Sequence, residues 1–225
     1  MKDDTPCTQL GGIILAGGAS KRMGRDKAGL PWQGTTILTC LCNSLNALSP
    51  LVVVGPFHRQ MIPLQAGIRV VFDAKPYAGP LAGLAYGLES FPASSHVFVT
   101  GCDYPGMNML VATQLHQELE QADAVVLTHR GYRQPLPGVY RASILPCLQQ
   151  LLHRGETSLQ ALLNAIKTKL VPESVWQTWP DITSQLTHFN TWEEYQAALS
   201  LTSAAASSSQ PDHPVQLTGE QPHPQ

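Results

Sequence analysis

The 225-residue chain carries 14 Lys+Arg against 16 Asp+Glu, a formal charge of −2, with 43% hydrophobic and only 13% charged residues. That composition fills a sizeable core, and its near-neutral balance lacks the basic stripe that sequence-independent nucleic-acid binding needs. No run of about 18 apolar residues occurs, which speaks against a membrane span, and residues 1–9, with Lys2, Asp3 and Asp4 and no long apolar run, are not expected to act as a secretory signal.

Five scattered cysteines, Cys7, Cys40, Cys42, Cys102 and Cys147, form no C-x-x-C pair, and the eight histidines show no zinc spacing. This argues against a disulfide framework and a zinc centre and fits a reducing cytosol. A metal, if used, is expected to be a hard cation on carboxylates.

In chain order, Gly12-Ile13-Ile14-Leu15-Ala16 is an apolar run stopped by Gly17-Gly18, a buried strand entering a loop. A helix is expected over 36–48, where Ile37, Leu38, Leu41, Leu45 and Leu48 recur at helical spacing. Cys40 and Cys42 point to different faces of it and read as packing residues. Strands follow over 51–54 and 69–73, then a short helix over 81–91. The strand 96–100 ends at Gly101-Cys102-Asp103, and a helix over 108–121 leads to the strand 124–128. After a further strand over 136–140 the pattern turns helical, over 144–153, 158–169 and 191–201.

From Thr202 onward Ser, Ala, Gln and Pro dominate, so a disordered tail over 202–225 is expected. A nine-residue tail (1–9) and one domain over 10–201 complete the division. Continuous apolar strands separated by helices imply an α/β domain with a mostly parallel sheet covered on both faces. Ligands of such sheets bind beyond the carboxyl ends of the strands, which gathers the loop after Ala16, Asp73 and Asp103 at one edge.

The first loop reads Leu15-Ala16-Gly17-Gly18-Ala19-Ser20-Lys21-Arg22-Met23-Gly24-Arg25-Asp26-Lys27. Paired glycines let a ligand approach the main chain, and Lys21, Arg22, Arg25 and Lys27 put four cations within seven residues, suited to polyphosphate. Neither the P-loop spacing nor G-x-G-x-x-G is present. The residues alone leave open an ordinary turn with a solvated basic face.

The string L-A-G-G-x-S-x-R-M-G-x-D-K resembles the signature of nucleotidyltransferases that bind a nucleoside triphosphate on a Rossmann-like sheet. Within them the chain is most similar, over about 12–199, to the molybdenum cofactor guanylyltransferase family. The resemblance implies a three-layer α/β/α nucleotidyltransferase fold. It implies that Leu15, Ala16, Gly17 and Gly18 approach the guanine nucleotide through the backbone, with Arg22 and Lys27 along the triphosphate. Asp26 either orients Lys27 or is simply solvated.

Asp73 ends its strand and is followed by an intact Gly79-Pro80-Leu81-Ala82-Gly83, where the family places nucleotide-binding residues; the alternative is a turn with Pro at a helix start. Asp103 follows a buried strand in Gly101-Cys102-Asp103-Tyr104-Pro105, matching the family's C-D-x-P. A carboxylate there is costly unless paired or holding a cation, and Mg²⁺ favours one or two carboxylates completed by phosphate oxygens and water. Capping the next helix is the alternative role.

Gln134-Pro135-Leu136-Pro137-Gly138-Val139-Tyr140 resembles a family strand that passes near the acceptor. Three departures stand in the second half: Thr157 where relatives often place Arg, and His188 and Trp192 in a segment otherwise like N-x-N-T-P-E-D. Arg154, His188 and Asn190 are the acceptor-side candidates that remain.

The resemblance implies a cytoplasmic enzyme. It moves GMP from GTP, with Mg²⁺ at Asp103, to the phosphate of molybdopterin and releases pyrophosphate, with Arg22, Lys27 and Asp103 as its catalytic groups. Other proteins of molybdenum cofactor biosynthesis, or acceptor proteins, are further partners it allows. Two rivals stay open: a transferase of the same scaffold using CTP or a sugar phosphate, and a non-catalytic GTP-binding protein.

Overall fold

The computed structural model describes residues 10–17, 26–55, 65–72 and 79–207, the last seven by backbone alone. Strand β1 (Gly11–Leu15) is buried along its whole length. A short hairpin of β2 (Pro31–Trp32) and β3 (Thr35–Thr36) leads into helix α1 (Ile37–Ser44). The Thr36 hydroxyl caps α1 by accepting from the Thr39 N–H at 3.2 Å. Leu38, Leu41 and Leu45 are fully buried against the sheet, each contributing about 1.5–3 kcal/mol relative to exposure.

Strands β4 (Leu51–Gly55) and β5 (Arg69–Phe72) follow, then helix α2 (Pro80–Leu88), β6 (His96–Gly101) and α3 (Met109–Gln117). Next, β7 (Ala124–His129) turns through Arg130 and Gly131, both at positive φ, into β8 (Tyr132–Arg141). Two left-handed residues match the strand twist of a two-residue hairpin. Helices α4 (Leu145–His153) and α5 (Leu159–Ala165), strand β9 (Thr168–Val171), short helices α6 (Glu173–Trp176) and α7 (Ile182–Leu186), and helix α8 (Trp192–Ser207) complete the described chain.

The seven-stranded sheet runs β5-β4-β1-β6-β8-β7-β9. All pairings are parallel except the two that β8 makes, because β8 returns from the hairpin and slots between β6 and β7. Helices α2, α4 and α5 cover one face. Helices α1, α3 and α8, with Trp176, Trp179 and Ile182, cover the other. This is the expected three-layer α/β/α arrangement with a mostly parallel sheet.

Two expectations are corrected. The helix expected over 158–169 ends at Ala165, and Thr168–Val171 is instead an edge strand parallel to β7. Asp123 sets that register: its N–H donates to the Lys167 carbonyl at 2.8 Å, and its carboxylate accepts from the Lys167 N–H at 2.9 Å. The last helix, expected over 191–201, runs over Trp192–Ser207; the residues after it lie outside the described residues.

Candidate active site

The carboxyl ends of β4, β1 and β6 lie side by side, with Leu15 in register with Val54 and with Gly101. The Ala16 N–H donates to the Val54 carbonyl at 2.7 Å and the Cys102 N–H to the Leu15 carbonyl at 3.3 Å. The loops that leave β1 and β6 therefore diverge from one edge. Ala16 is half-buried and Gly17 exposed, so the main chain there is open to a ligand. Gly55 lets the loop lie close: a Cβ at this position would stand 3.0 Å from the Ala16 carbonyl carbon and 3.1 Å from the Gly17 nitrogen.

Beyond that loop, Lys27 opens a single helical turn capped by Asp26, whose carboxylate accepts from the Ala28 N–H at 3.0 Å. Asp26 thus acts on the backbone. The Lys27 ammonium donates to the Phe189 carbonyl at 2.7 Å and to Asn190 Oδ1 at 3.2 Å, and stands 5.4 Å from the centre of the Phe189 ring. Those partners lie far along the chain, and the local sequence around them explains why they stay put. Phe189 is fully buried, with Trp32 and Tyr195 beside its ring.

Thr191 and Glu194 form a capping box at the start of α8. The Thr191 hydroxyl accepts from the Glu194 N–H at 3.2 Å, and the Glu194 carboxylate accepts from the N–H groups of Asn190 at 2.6 Å and Thr191 at 3.2 Å. Those two backbone donors hold the Glu194 carboxyl below the usual range. A bond from the Tyr195 hydroxyl to the Pro31 carbonyl at 2.6 Å fastens the same helix to β2.

Asp103 enters the cluster from β6. The Phe189 N–H donates to its carbonyl at 3.3 Å, so one residue joins Asp103 to Lys27. Its side chain folds over the bare α-carbon of Gly101, where a Cβ would overlap Oδ1. Burial pushes the carboxyl above its usual value, opposed by the Lys27 ammonium, its own N–H and His188. Helix capping is not its role: Asn108 caps α3, accepting from the Leu110 N–H at 2.8 Å. Burial also raises the thiol of Cys102 and the phenol of Tyr104, leaving both uncharged.

The donor set suits a divalent ion that arrives with phosphate. Asp103 presents a largely desolvated carboxylate at the edge, and among the described residues no group of three or more His, Cys, Asp or Glu is gathered to cage a metal. Hard divalent cations generally favour one or two carboxylates together with phosphate oxygens and water.

Over β7 and β8 lies a cavity of about 340 Å³, lined in part by Tyr104 and His188, whose rings are 5.4 Å apart. Of the candidates named from sequence, Leu15, Ala16, Gly17, Lys27, Asp103, His188 and Asn190 meet along this edge. Gly18, Arg22 and Asp73 lie outside the described residues. Arg154 caps the end of α4 on the opposite face of the sheet, exposed, and among the described residues no bond ties it to this cluster. Three residues on, Thr157 packs against Gly79 at the start of α2, where a Cβ on the glycine would stand 3.1 Å away.

The sequence reading missed Glu194 and Phe189. The T-x-x-E spacing of Thr191 and Glu194 was the available signal for the first; the second acts through its carbonyl, which leaves no trace in residue type.

Residues 12–170 match the model of the MobA-like NTP transferase domain family. A probable molybdenum cofactor guanylyltransferase of Bacillus cereus is 31% identical over 192 residues, covering 83% of this chain and 94% of its own. The crystal structure of molybdopterin-guanine dinucleotide biosynthesis protein A from Archaeoglobus fulgidus superposes with a TM-score of 0.72 at 19% identity, covering 86% of this chain and 98% of that one. The 2-C-methyl-D-erythritol 4-phosphate cytidylyltransferase of Thermus thermophilus shares the fold, with a TM-score of 0.61 at 18% identity over 87% of this chain and 99% of that one.

Proposed function

This chain belongs to the MobA-like NTP transferase family, and from that premise we propose that it transfers GMP from GTP to the terminal phosphate of molybdopterin. It is a nucleotidyltransferase. An oxygen of the acceptor phosphate attacks the α-phosphorus of GTP, the bond from that phosphorus to the β-bridging oxygen breaks, and pyrophosphate leaves. No enzyme nucleophile is needed, so catalysis is alignment and charge neutralisation.

The observation that carries this reading is the junction of Lys27 and Asp103 through Phe189, at the edge where the glycine loop leaves the sheet. Two phosphoryl groups a few ångströms apart repel by several kcal/mol at an intermediate dielectric of about 20. The Lys27 ammonium is held in place to offset that repulsion by bonds to the Phe189 carbonyl and Asn190. Arg22, with its fork of donors, grips triphosphate oxygens from the glycine loop. Leu15, Ala16, Gly17 and Gly18 offer their backbone to the nucleotide, and Asp73 is a further nucleotide-binding residue. Asp103 is the residue that would hold Mg²⁺, which when bound supplies positive charge to the phosphate oxygens.

His188 borders the acceptor side. Asn190, expected there too, acts through Lys27. We place the reaction in a reducing cytosol, where Cys42 and Cys102 stay as buried free thiols.

Calorimetry with GTP and CTP in the presence of Mg²⁺, followed by a pyrophosphate-release assay on adding molybdopterin, tests the proposal. Preferential GTP binding and release dependent on molybdopterin support it. Preference for CTP would favour the cytidylyl chemistry named for the T. thermophilus relative of this fold. GTP binding without release would point to a non-catalytic protein.

A further inference from the structure

The ladder between β7 and β8 breaks in one place. Val126 pairs with Gly138, but the next residue of β7, Leu127, pairs with Gln134, so Pro135, Leu136 and Pro137 are looped out of β8. Toward β6, the last pair that β8 makes is Gly138 with Val99. Thr100 and Gly101, which lead to Cys102 and Asp103, pair with β1 alone. Two prolines suit such a stretch, since neither has an N–H to give to a ladder. A bulge that ends pairing beside an active site also re-aims the residues it carries. Here Leu136 and Pro137 line the cavity together with Tyr104, the residue after Asp103.

A single side chain fastens that bulge. The Tyr140 hydroxyl donates to the Pro135 carbonyl at 2.6 Å. Tyr140 is fully buried, and burial holds its phenol well above the usual value, so it stays protonated and keeps donating. Gly138, two residues earlier and on the same face of the strand, leaves the space that the ring needs. A Cβ there would stand 2.9 Å from both Tyr140 Cε2 and the Pro135 oxygen. Donor, glycine seat and accepting carbonyl thus all belong to the Pro135-Leu136-Pro137-Gly138-Val139-Tyr140 stretch, whose spacing lets the ring reach back over the glycine.

We infer that Tyr140 is a positioning residue for the transfer: through the Pro135 carbonyl it holds the bulge clear of β6, and so fixes where the acceptor meets the Asp103 edge. The assignment rests on the transfer reading above. Held in this way, the bulge leaves the β8 flank of Thr100 and Gly101 open, and Asp103 is approached from that flank. Being fully buried, Tyr140 itself touches no substrate. Without its hydroxyl the buried Pro135 carbonyl loses a donor, and the wall carried by Leu136 and Pro137 relaxes. The exit of β1, on the other side of β6, keeps its place, so the nucleotide side is spared.

Tyr140→Phe in the full chain keeps the ring and removes the donor, and Gly138→Ala keeps the hydroxyl but crowds its seat. Amide hydrogen exchange, read by mass spectrometry, reports the bulge; steady-state pyrophosphate release with GTP and molybdopterin reports its consequence. In Tyr140→Phe the peptide that carries the bulge exchanges roughly fivefold faster, the worth of one ordinary hydrogen bond, while β1 and β4 exchange as in wild type. The molybdopterin KM rises about 10-fold in both variants, with the GTP KM unchanged. A merely structural loss of folded enzyme lowers kcat and moves neither KM. An acceptor KM unaltered in both variants, or a GTP KM raised as much as the acceptor's, overturns the assignment. Faster exchange of the bulge in Tyr140→Phe, with no pyrophosphate release even by wild type, would sink the transfer reading and leave Tyr140 its hold on the bulge. Transfer by wild type, with exchange and acceptor KM both unaltered in Tyr140→Phe, would do the reverse.

Discussion

Replacing Gly101 by Ala isolates the position of one carboxylate. Gly101 ends β6 in register with Leu15, and its backbone lies outside the left-handed region, so alanine is tolerated by the main chain. The added methyl, however, overlaps Asp103 Oδ1 and sits 3.5 Å from its Cγ. Relief requires the carboxylate to swing away by about 1 Å, and a misplacement of that size near reacting groups costs on the order of 100-fold in rate. The bond from the Phe189 N–H to the Asp103 carbonyl and the β1–β6 pairing are main-chain features and survive. The expected outcome is a kcat for pyrophosphate release reduced about 100-fold, with unfolding temperature and metal-free GTP affinity near wild type. A variant that keeps kcat within about threefold would show that the Asp103 carboxylate need not lie where Gly101 admits it.

Two further outcomes follow from the same geometry. Asp103→Asn abolishes turnover yet raises thermal stability at neutral pH: burial places the folded carboxyl pKa above its unfolded value, so wild-type stability falls as pH rises through that window, and the amide removes the loss. Equal or lower unfolding temperature for the variant at pH 7 would contradict it. Glu194→Ala loosens the Asn190 and Thr191 amides and with them the Lys27 ammonium, lowering kcat roughly 10-fold with little change in GTP affinity, while Glu194→Gln, which keeps an accepting oxygen, recovers most of the rate. Matching losses in the two variants would refute that coupling.

At the opposite end of the sheet, Arg141 donates to His96 Nε2 at 2.8 Å and His96 Nδ1 lies 2.8 Å from His116 Nε2, a chain that is satisfied with both rings neutral. Burial and the Arg141 charge lower both pKa values, so the unfolded state binds more protons and stability drops as pH falls below about 6.5. Urea titrations at pH 7 and pH 5 should show a smaller drop for His116→Gln than for wild type; identical drops would dismiss the assignment.

The apolar strands were readable because burial on both faces leaves an uninterrupted run. Ile13-Ile14-Leu15 and Val52-Val53-Val54 show it, and their shared exit edge follows from parallel pairing. The direction of β8 was not readable, since the same residues satisfy either pairing and only the Arg130–Gly131 turn decides it. β9 was hidden because Thr168, Lys169, Leu170 and Val171 continue a helical pattern in isolation; contact with β7 and Asp123 overrides it. In the site, Lys27 and Asp103 stood out by residue type and place. What joins them did not, because a carbonyl 162 positions from Lys27 has no signature along the chain. The cavity wall at Trp176 and Gln177 belongs with that class, assembled from short helices that only tertiary packing positions.

Incubating the full chain with GTP labelled at the α-phosphorus, Mg²⁺ and molybdopterin, and following the label, addresses the transfer itself. The account predicts that label moves into a product whose mass equals the acceptor plus GMP, in step with pyrophosphate, and that neither forms with Lys27→Ala or Asp103→Ala. Label appearing only as free GMP, or transfer persisting in both variants, would contradict it.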